Sequence, residues 1–370
     1  MGELLTVGVE EEFLLADPVS GVAMPVSEDV IAADAPADAP AAGPVGRLKP
    51  ETSLAVIETA SEPHRELSRL ADDLRSLRSA AATAAEAVGC AVLPCATEPL
   101  PAPPSPPTGG ERYRRIYEKY GARIFGHMTC GMHIHIGMPD RERAVAVSNH
   151  LRPWLPAFQA LAANSPYALG EDTGWASFRS VWWGYMPVAG PAPVFASAAA
   201  YDALLDQLVA SGVILDRKMA YWFARPSEFV PTIEVRVTDV CPTADTAVLL
   251  AALTRALVAT CQEELDAGAP PPAVSGQLLA AAHWQAARYG MEGDAVDVFT
   301  GHPVPAWSWV EKLVKHITPA LSDAGDLAYV TGGLAELRAH GSWAARQRGI
   351  VSAGGGPADV AAYLASLLLK

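Results

Sequence analysis

Three stretches of the chain alternate apolar and polar residues with a period of two. Over residues 6–15, Val7, Val9, Phe13 and Leu15 fall on one side of an extended backbone, and Gly8, Glu10 and Glu12 on the other. Residues 130–137 set Cys130, Met132, Ile134 and Ile136 against His133 and His135, and residues 232–238 set Ile233, Val235 and Val237 against Glu234 and Arg236. Each stretch is predicted as a strand with one apolar face, the pattern of a sheet that is packed on one side only. Between them the period changes. Leu67, Leu70, Leu74, Leu77, Ala81, Ala84 and Val88 recur at helical spacing, and Gly89 supplies a stop. Further helices are predicted over 144–163, 201–211, 244–267, 277–289 and 358–369. The proline- and alanine-rich stretch 34–44 reads as a surface loop. So does 99–110, whose six prolines and two glycines forbid regular structure.

Strands and helices mix without a βαβ rhythm, and no glycine-rich phosphate loop or dinucleotide fingerprint is present. With 370 residues, half of them apolar, the chain can bury a full-sized core. No composition break marks a second domain, so a single catalytic domain over 1–370 is expected, with loops near 29–47 and 99–112. The formal charge of -14 argues against a nucleic-acid partner. A nucleotide stays possible because a divalent cation reconciles a triphosphate with carboxylates. Five scattered cysteines read as reduced thiols in small core positions. With no signal-peptide pattern and no uninterrupted apolar span, a cytoplasmic protein without a membrane partner is expected.

The polar faces carry the chemistry. Pleating aims Glu10 and Glu12 the same way, and neighbouring carboxylates repel unless a cation binds them. A solvated strand face would also explain them. His133 and His135 share one face of a core strand, which suits a zinc pair or a metal ligand beside a phosphate contact. Glu234 and Arg236 share the polar side of the third strand; a salt bridge is the simple explanation, and a metal ligand beside a phosphate-binding guanidinium is the functional one. Glu58, in the apolar stretch Val56-Ile57-Glu58-Thr59-Ala60, adds another carboxylate. One sheet lining one site accounts for all of them.

At this point Gly8-Val9-Glu10-Glu11-Glu12-Phe13, Ile57-Glu58-Thr59-Ala60, Cys130-Gly131-Met132-His133-Ile134-His135-Ile136-Gly137 and Pro231-Thr232-Ile233-Glu234-Val235-Arg236 resemble the signature blocks of the bacterial type 2 glutamate-cysteine ligase family, which includes carboxylate-amine ligases. Leu151-Arg152-Pro153-Trp154-Leu155-Pro156, Ala163-Asn164-Ser165-Pro166, Asp172-Thr173-Gly174, Phe178-Arg179-Ser180 and Ala345-Arg346-Gln347-Arg348 are similar too, in family order. The resemblance implies an α+β, glutamine-synthetase-like fold, a mainly antiparallel sheet forming the floor of the active site with helices behind it. It implies ATP and Mg²⁺, for which Mn²⁺ can substitute, with Glu10, Glu12, Glu58, His133 and Glu234 as metal ligands. Glu58, Glu234 and Arg236 would be catalytic, His135, Arg236 and Arg346 would meet the nucleotide phosphates, and Arg179 a substrate carboxylate. The implied reaction activates an acid, glutamate or a related amino acid, as an acyl phosphate that an amine, cysteine or another, then attacks. Relatives suggest a homodimer. Two departures, Glu98 in Ala96-Thr97-Glu98-Pro99 and Trp343 before the Arg-Gln-Arg block, are expected to reshape a substrate pocket. The rivals are a zinc hydrolase or lyase built on His133 and His135, and a non-catalytic binding protein on the same fold.

Overall fold

The structure, a computed structural model, describes residues 4–34, 48–121 and 129–370. Its centre is a seven-stranded sheet in which every pairing is antiparallel. The strands are β1 (Val7–Ala16), β2 (Lys49–Pro50), β3 (Val56–Ala60), β4 (Ala91–Leu93), β5 (Gly131–Gly137), β8 (Ala224–Pro226) and β9 (Thr232–Asp239). Their order is β2-β3-β1-β5-β9-β8, and β4 pairs with the end of β1. Two small hairpins, β6 (Tyr167–Ala168) with β7 (Glu171–Asp172) and β10 (Asp294–Asp297) with β11 (His302–Pro305), lie outside it.

The alternation read from the sequence sets the two faces. Val7, Val9, Phe13, Ile57, Met132, Ile134, Ile136, Ile233 and Val235 are buried in one apolar cluster with residues of the helices Leu67–Ala87, Leu155–Ala162 and Ala244–Asp266. The helix Ala244–Asp266 opens on Thr243, whose hydroxyl accepts from the Thr246 amide at 3.3 Å. That helix is long and apolar enough to cross a membrane, but 89% of its apolar window is buried inside the protein. The helix Leu67–Ala87 ends where Gly89 takes a φ of +76°, as its position in the sequence predicted.

Some expectations are corrected. The single helix expected over 144–163 is broken into Arg141–Leu151, a 3₁₀ turn Arg152–Trp154 and Leu155–Ala162, because Pro153 and Pro156 cannot donate to a continuous ladder. The stretch expected as a loop near 29–47 starts within a helix, Ser27–Asp34, and residues 35–47 lie outside those described. The helices Glu111–Tyr120, Ala306–Ala324, Leu327–His340 and Trp343–Ser352 were not anticipated. Stretch 99–110 forms no helix or strand, as its prolines require, apart from a single antiparallel bridge between Pro107 and Ser53.

Candidate active site

Register, rather than alternation alone, assembles the site. Across the sheet, Glu12 stands opposite Glu58, which stands opposite Lys49; Glu10 is opposite His133; His135 is opposite Glu234, which is opposite Arg225. All of these side chains line one cavity of about 1130 Å³, together with Glu51, Arg112, Tyr113, Trp183, Lys218, Tyr221, Phe229 and Arg236. Seven of the nine side chains singled out in the sequence therefore meet: Glu10, Glu12, Glu58, His133, His135, Glu234 and Arg236.

His133 is the hub of the row. Its Nδ1 lies 3.2 Å from Glu10 and 4.0 Å from Glu234, and its Nε2 lies 3.7 Å from Glu12. His135 reaches Glu10 through Nε2 at 3.4 Å, while its Nδ1 is 2.9 Å from the Thr232 hydroxyl. Burial opposes ionisation of Glu10, but hydrogen bonds to His133 and His135 outweigh it and hold its carboxyl well below the usual range. Glu234 is likewise buried, yet the Arg236 and Arg225 guanidiniums drive its pKa down. The two imidazoles diverge. Burial and then the Arg236 charge lower His133, whereas for His135 the hydrogen bond to Glu10 overcomes burial and raises it.

The other end of the row is electrostatically opposite. Glu12, Glu51 and Glu58 can bring carboxylate oxygens within 4.8 Å of one another, and the Glu10 and Glu234 carboxylates and a His135 ring nitrogen lie equally close. Burial, then the Glu12 charge, pushes Glu51 up to about 7. Burial, then Glu10 and Glu51, pushes Glu58 well above its ordinary value, and Lys49 at 3.5 Å offsets only part of this. Crowded carboxylates of this kind, with imidazoles beside them and no thiol lining the cavity among the described residues, form the donor set of a hard divalent cation. Glu51 was not anticipated. It follows a two-residue strand too short to show periodicity, and its only sequence signal is a charge close to Glu58.

Arg179 and Arg346 are not among the residues lining the cavity. Arg346 donates to the Gly341 carbonyl at 3.0 Å and lies over the Trp343 ring at 4.1 Å. Trp343 itself is in the main core. Glu98 is also buried away from the cavity lining, and burial pushes its carboxyl up to about 8. Neither departure from the family blocks lines this cavity. Arg179 rests against Gly131, where a Cβ would stand 2.3 Å from its Nη2, and its Nη1 is 4.0 Å from Asp239. The Gly131 amide donates to Glu12 Oε2 at 2.5 Å, so this glycine lets a guanidinium approach closely beside a carboxylate of the acidic row.

Several family-like blocks brace one another instead of the cavity. Asp239 accepts from the Asn164 amide at 2.9 Å, Ser165 Oγ at 2.7 Å and Ser177 Oγ at 2.8 Å. A register shift between β5 and β9 sets Asp239 opposite Gly131. Asn164 donates to the Pro94 and Val240 carbonyls and accepts from Gln347 at 2.6 Å, while Arg348 forms a two-bond pair with Asp172 at 2.7 and 2.8 Å.

The model of a protein family described as glutamate-cysteine ligase family 2 matches residues 6–351. A candidate glutamate–cysteine ligase 2 of Salinispora tropica is 44% identical over 365 residues, covering 99% of this chain and 94% of its own. A similarly named protein of Nocardia farcinica is 45% identical over 363 residues, covering 98% of this chain and 92% of its own. The chain belongs to glutamate-cysteine ligase family 2 and is an enzyme of the carboxylate–amine ligase class. The fold is shared more widely. The crystal structure of a glutamate–cysteine ligase from Francisella tularensis in complex with AMP superposes with a TM-score of 0.71 at 12% identity, covering 100% of this chain and 90% of that one. A bifunctional glutathione synthetase from Pasteurella multocida gives 0.70 at 16% identity, covering 99% and 52%.

Proposed function

We propose that this ligase uses ATP and Mg²⁺ to join the carboxylate of glutamate, or of a related amino acid, to an amine, cysteine or another, through an acyl phosphate. The observation that carries the reading is the convergence of five carboxylates, two imidazoles and Arg236 on one face of a single cavity. At about 1130 Å³ that cavity exceeds the space a single small substrate needs, and it suits a nucleotide with two substrates. Nucleotide use also accords with the AMP held by the Francisella ligase of the same fold.

Glu10, His135 and Glu234 would hold one cation, and Glu12, Glu51 and Glu58 another, with His133 between the two groups. Bound there, Mg²⁺ would supply positive charge against the triphosphate. Arg236, fixed on Glu234, places a guanidinium beside the row, where it stabilises charge on the phosphoryl group in transit. A substrate carboxylate oxygen attacks the terminal phosphorus and ADP leaves; the amine then attacks the acyl carbon and phosphate leaves. Arg179, beside Gly131 at the Glu12 end, is buried and does not line the cavity, so the substrate carboxylate is assigned no contact with it.

Isotope transfer tests this reaction. With ATP, Mg²⁺, cysteine and glutamate carrying ¹⁸O in its carboxylates, the inorganic phosphate released with the amide should contain ¹⁸O, because the attacking oxygen departs on phosphorus. Amide formed with unlabelled phosphate, or with release of AMP and pyrophosphate, rules the acyl phosphate out.

Metal binding should also release protons. In the metal-free protein burial and the Glu12 charge push Glu51 up to about 7, and burial with the Glu10 and Glu51 charges raises Glu58, so the pair favours proton uptake as the solution becomes acidic. Ligand carboxylates must be ionised, so Mg²⁺ displaces these protons and binds more weakly as pH falls below about 7. Adding MgCl₂ to a weakly buffered solution at about pH 6 should release roughly one proton or more per chain. A pH-stat that records no uptake of base argues against Glu51 and Glu58 as ligands.

A further inference from the structure

The cavity is lined by five lysine and arginine side chains: Lys49, Arg112, Lys218, Arg225 and Arg236. Four of them stand within 3.5 Å of a carboxylate: Lys49 of Glu58, Arg112 of Asp216, and Arg225 and Arg236 of Glu234. Among the described residues Lys218 has no such partner. Its ammonium lies 3.8 Å from the centroid of the Phe229 ring. Phe229 is 69% exposed although it lines the cavity, so an apolar ring stands at the lip of a charged site.

This placement is built into the fold. Phe229 sits in the turn from β8 to β9, closed by the Ser227 amide donating to the Thr232 carbonyl at 2.9 Å and the Thr232 amide donating to Val230 at 2.8 Å. Thr232 in turn contacts His135, at one end of the acidic row. Four residues separate Phe229 from Glu234, so the turn holds the ring within about 17 Å of the acidic row. Other aromatic residues lining the cavity are already engaged. Trp183 packs edge-on to Tyr221 at 4.6 Å, and the Arg112 charge beside them is matched by Asp216.

We propose that Phe229 and Lys218 form the base-binding end of the nucleotide site, the ring stacking on the purine and the ammonium meeting the phosphate chain. The inference rests on the nucleotide use proposed above. A flat base would cover the exposed ring, and a polyanion would supply the negative partner that Lys218 lacks.

The test compares Mg·ADP with inorganic tripolyphosphate, which has the charge without the base, by equilibrium titration of the full chain. Phe229→Ala should raise the Kd for Mg·ADP about tenfold, the loss of one stacking contact, and leave tripolyphosphate binding unchanged. Lys218→Gln should weaken both ligands. Phe229→Trp should keep the affinity for Mg·ADP and add an ADP-dependent fluorescence change beyond any shown by the unsubstituted chain, whose Trp183 also lines the cavity. Equal Mg·ADP affinity in Phe229→Ala and the unsubstituted chain overturns the inference and leaves the proposed function standing, as does an equal loss of tripolyphosphate binding. An unsubstituted chain that binds no Mg·ADP overturns the proposed function itself, and this inference with it.

Discussion

Replacing Glu58 by Gln should lower turnover by about three orders of magnitude while leaving the metal-free protein at least as stable as before. The catalytic loss follows from the proposed metal site: removing one carboxylate of the Glu12, Glu51 and Glu58 group would forfeit charge stabilisation worth several kcal/mol, about tenfold in rate for each 1.4. Stability moves the other way. In the absence of a cation Glu58 is buried and repelled by Glu10 and Glu51, so its charged form is disfavoured, and an amide of the same shape avoids that cost. Glu234→Gln should also abolish turnover, but here the fold suffers too, because Arg225 and Arg236 lose the anion that both of them face. Melting both variants in EDTA, beside turnover assays in Mg²⁺, separates the cases. Near-normal turnover in both variants would remove the metal assignment.

The contrast between Glu58 and Glu234 also marks what could be read in the sequence. Strands β5 and β9 alternate cleanly and β1 does so apart from Glu11 and Leu14, so the face carrying Glu10, Glu12, His133, His135, Glu234 and Arg236 was largely legible from periodicity. Glu51 and Arg225 were not, since β2 and β8 are too short to show a period and enter the site only through pairing register. Arg179 and Arg346 were named through their blocks. A block that recurs for structural reasons looks the same as one that recurs for catalysis, and Arg346 and Gln347 turn out to brace Gly341 and Asn164. The missed helices carry local signals against themselves: Pro319 inside Ala306–Ala324, and Gly332 with Gly333 inside Leu327–His340. Tertiary packing of Trp309, Leu313 and Ile317 overrides the first of these.

Glu11 points away from the cavity, and its replacement should unfold more of the protein than any change on the catalytic face. It is fully buried, and so is its partner Arg78, which donates to it through Nε at 3.0 Å and Nη2 at 2.5 Å. The same guanidinium donates to the Cys241, Pro242 and Leu368 carbonyls at 2.8, 3.0 and 3.3 Å. One side chain of the helix Leu67–Ala87 thus ties together strand β1, the turn after β9 and the C-terminal segment. Removing one member of such a pair strands a charge without water or a counter-ion, which costs about 3–5 kcal/mol. Glu11→Leu and Arg78→Met should each lower stability to urea by that amount. The pair replaced together, Glu11→Leu with Arg78→Met, should recover part of the loss, because no buried charge remains although the Cys241, Pro242 and Leu368 carbonyls still lose their donor. Because Glu11 lies between Glu10 and Glu12, the single variants should also weaken Mg²⁺ binding, through a strand that no longer holds its register. Urea unfolding of the two single variants and the double variant closes the cycle: additive losses would mean that Glu11 and Arg78 do not act as a pair, and that the position of β1 is set by its apolar neighbours alone.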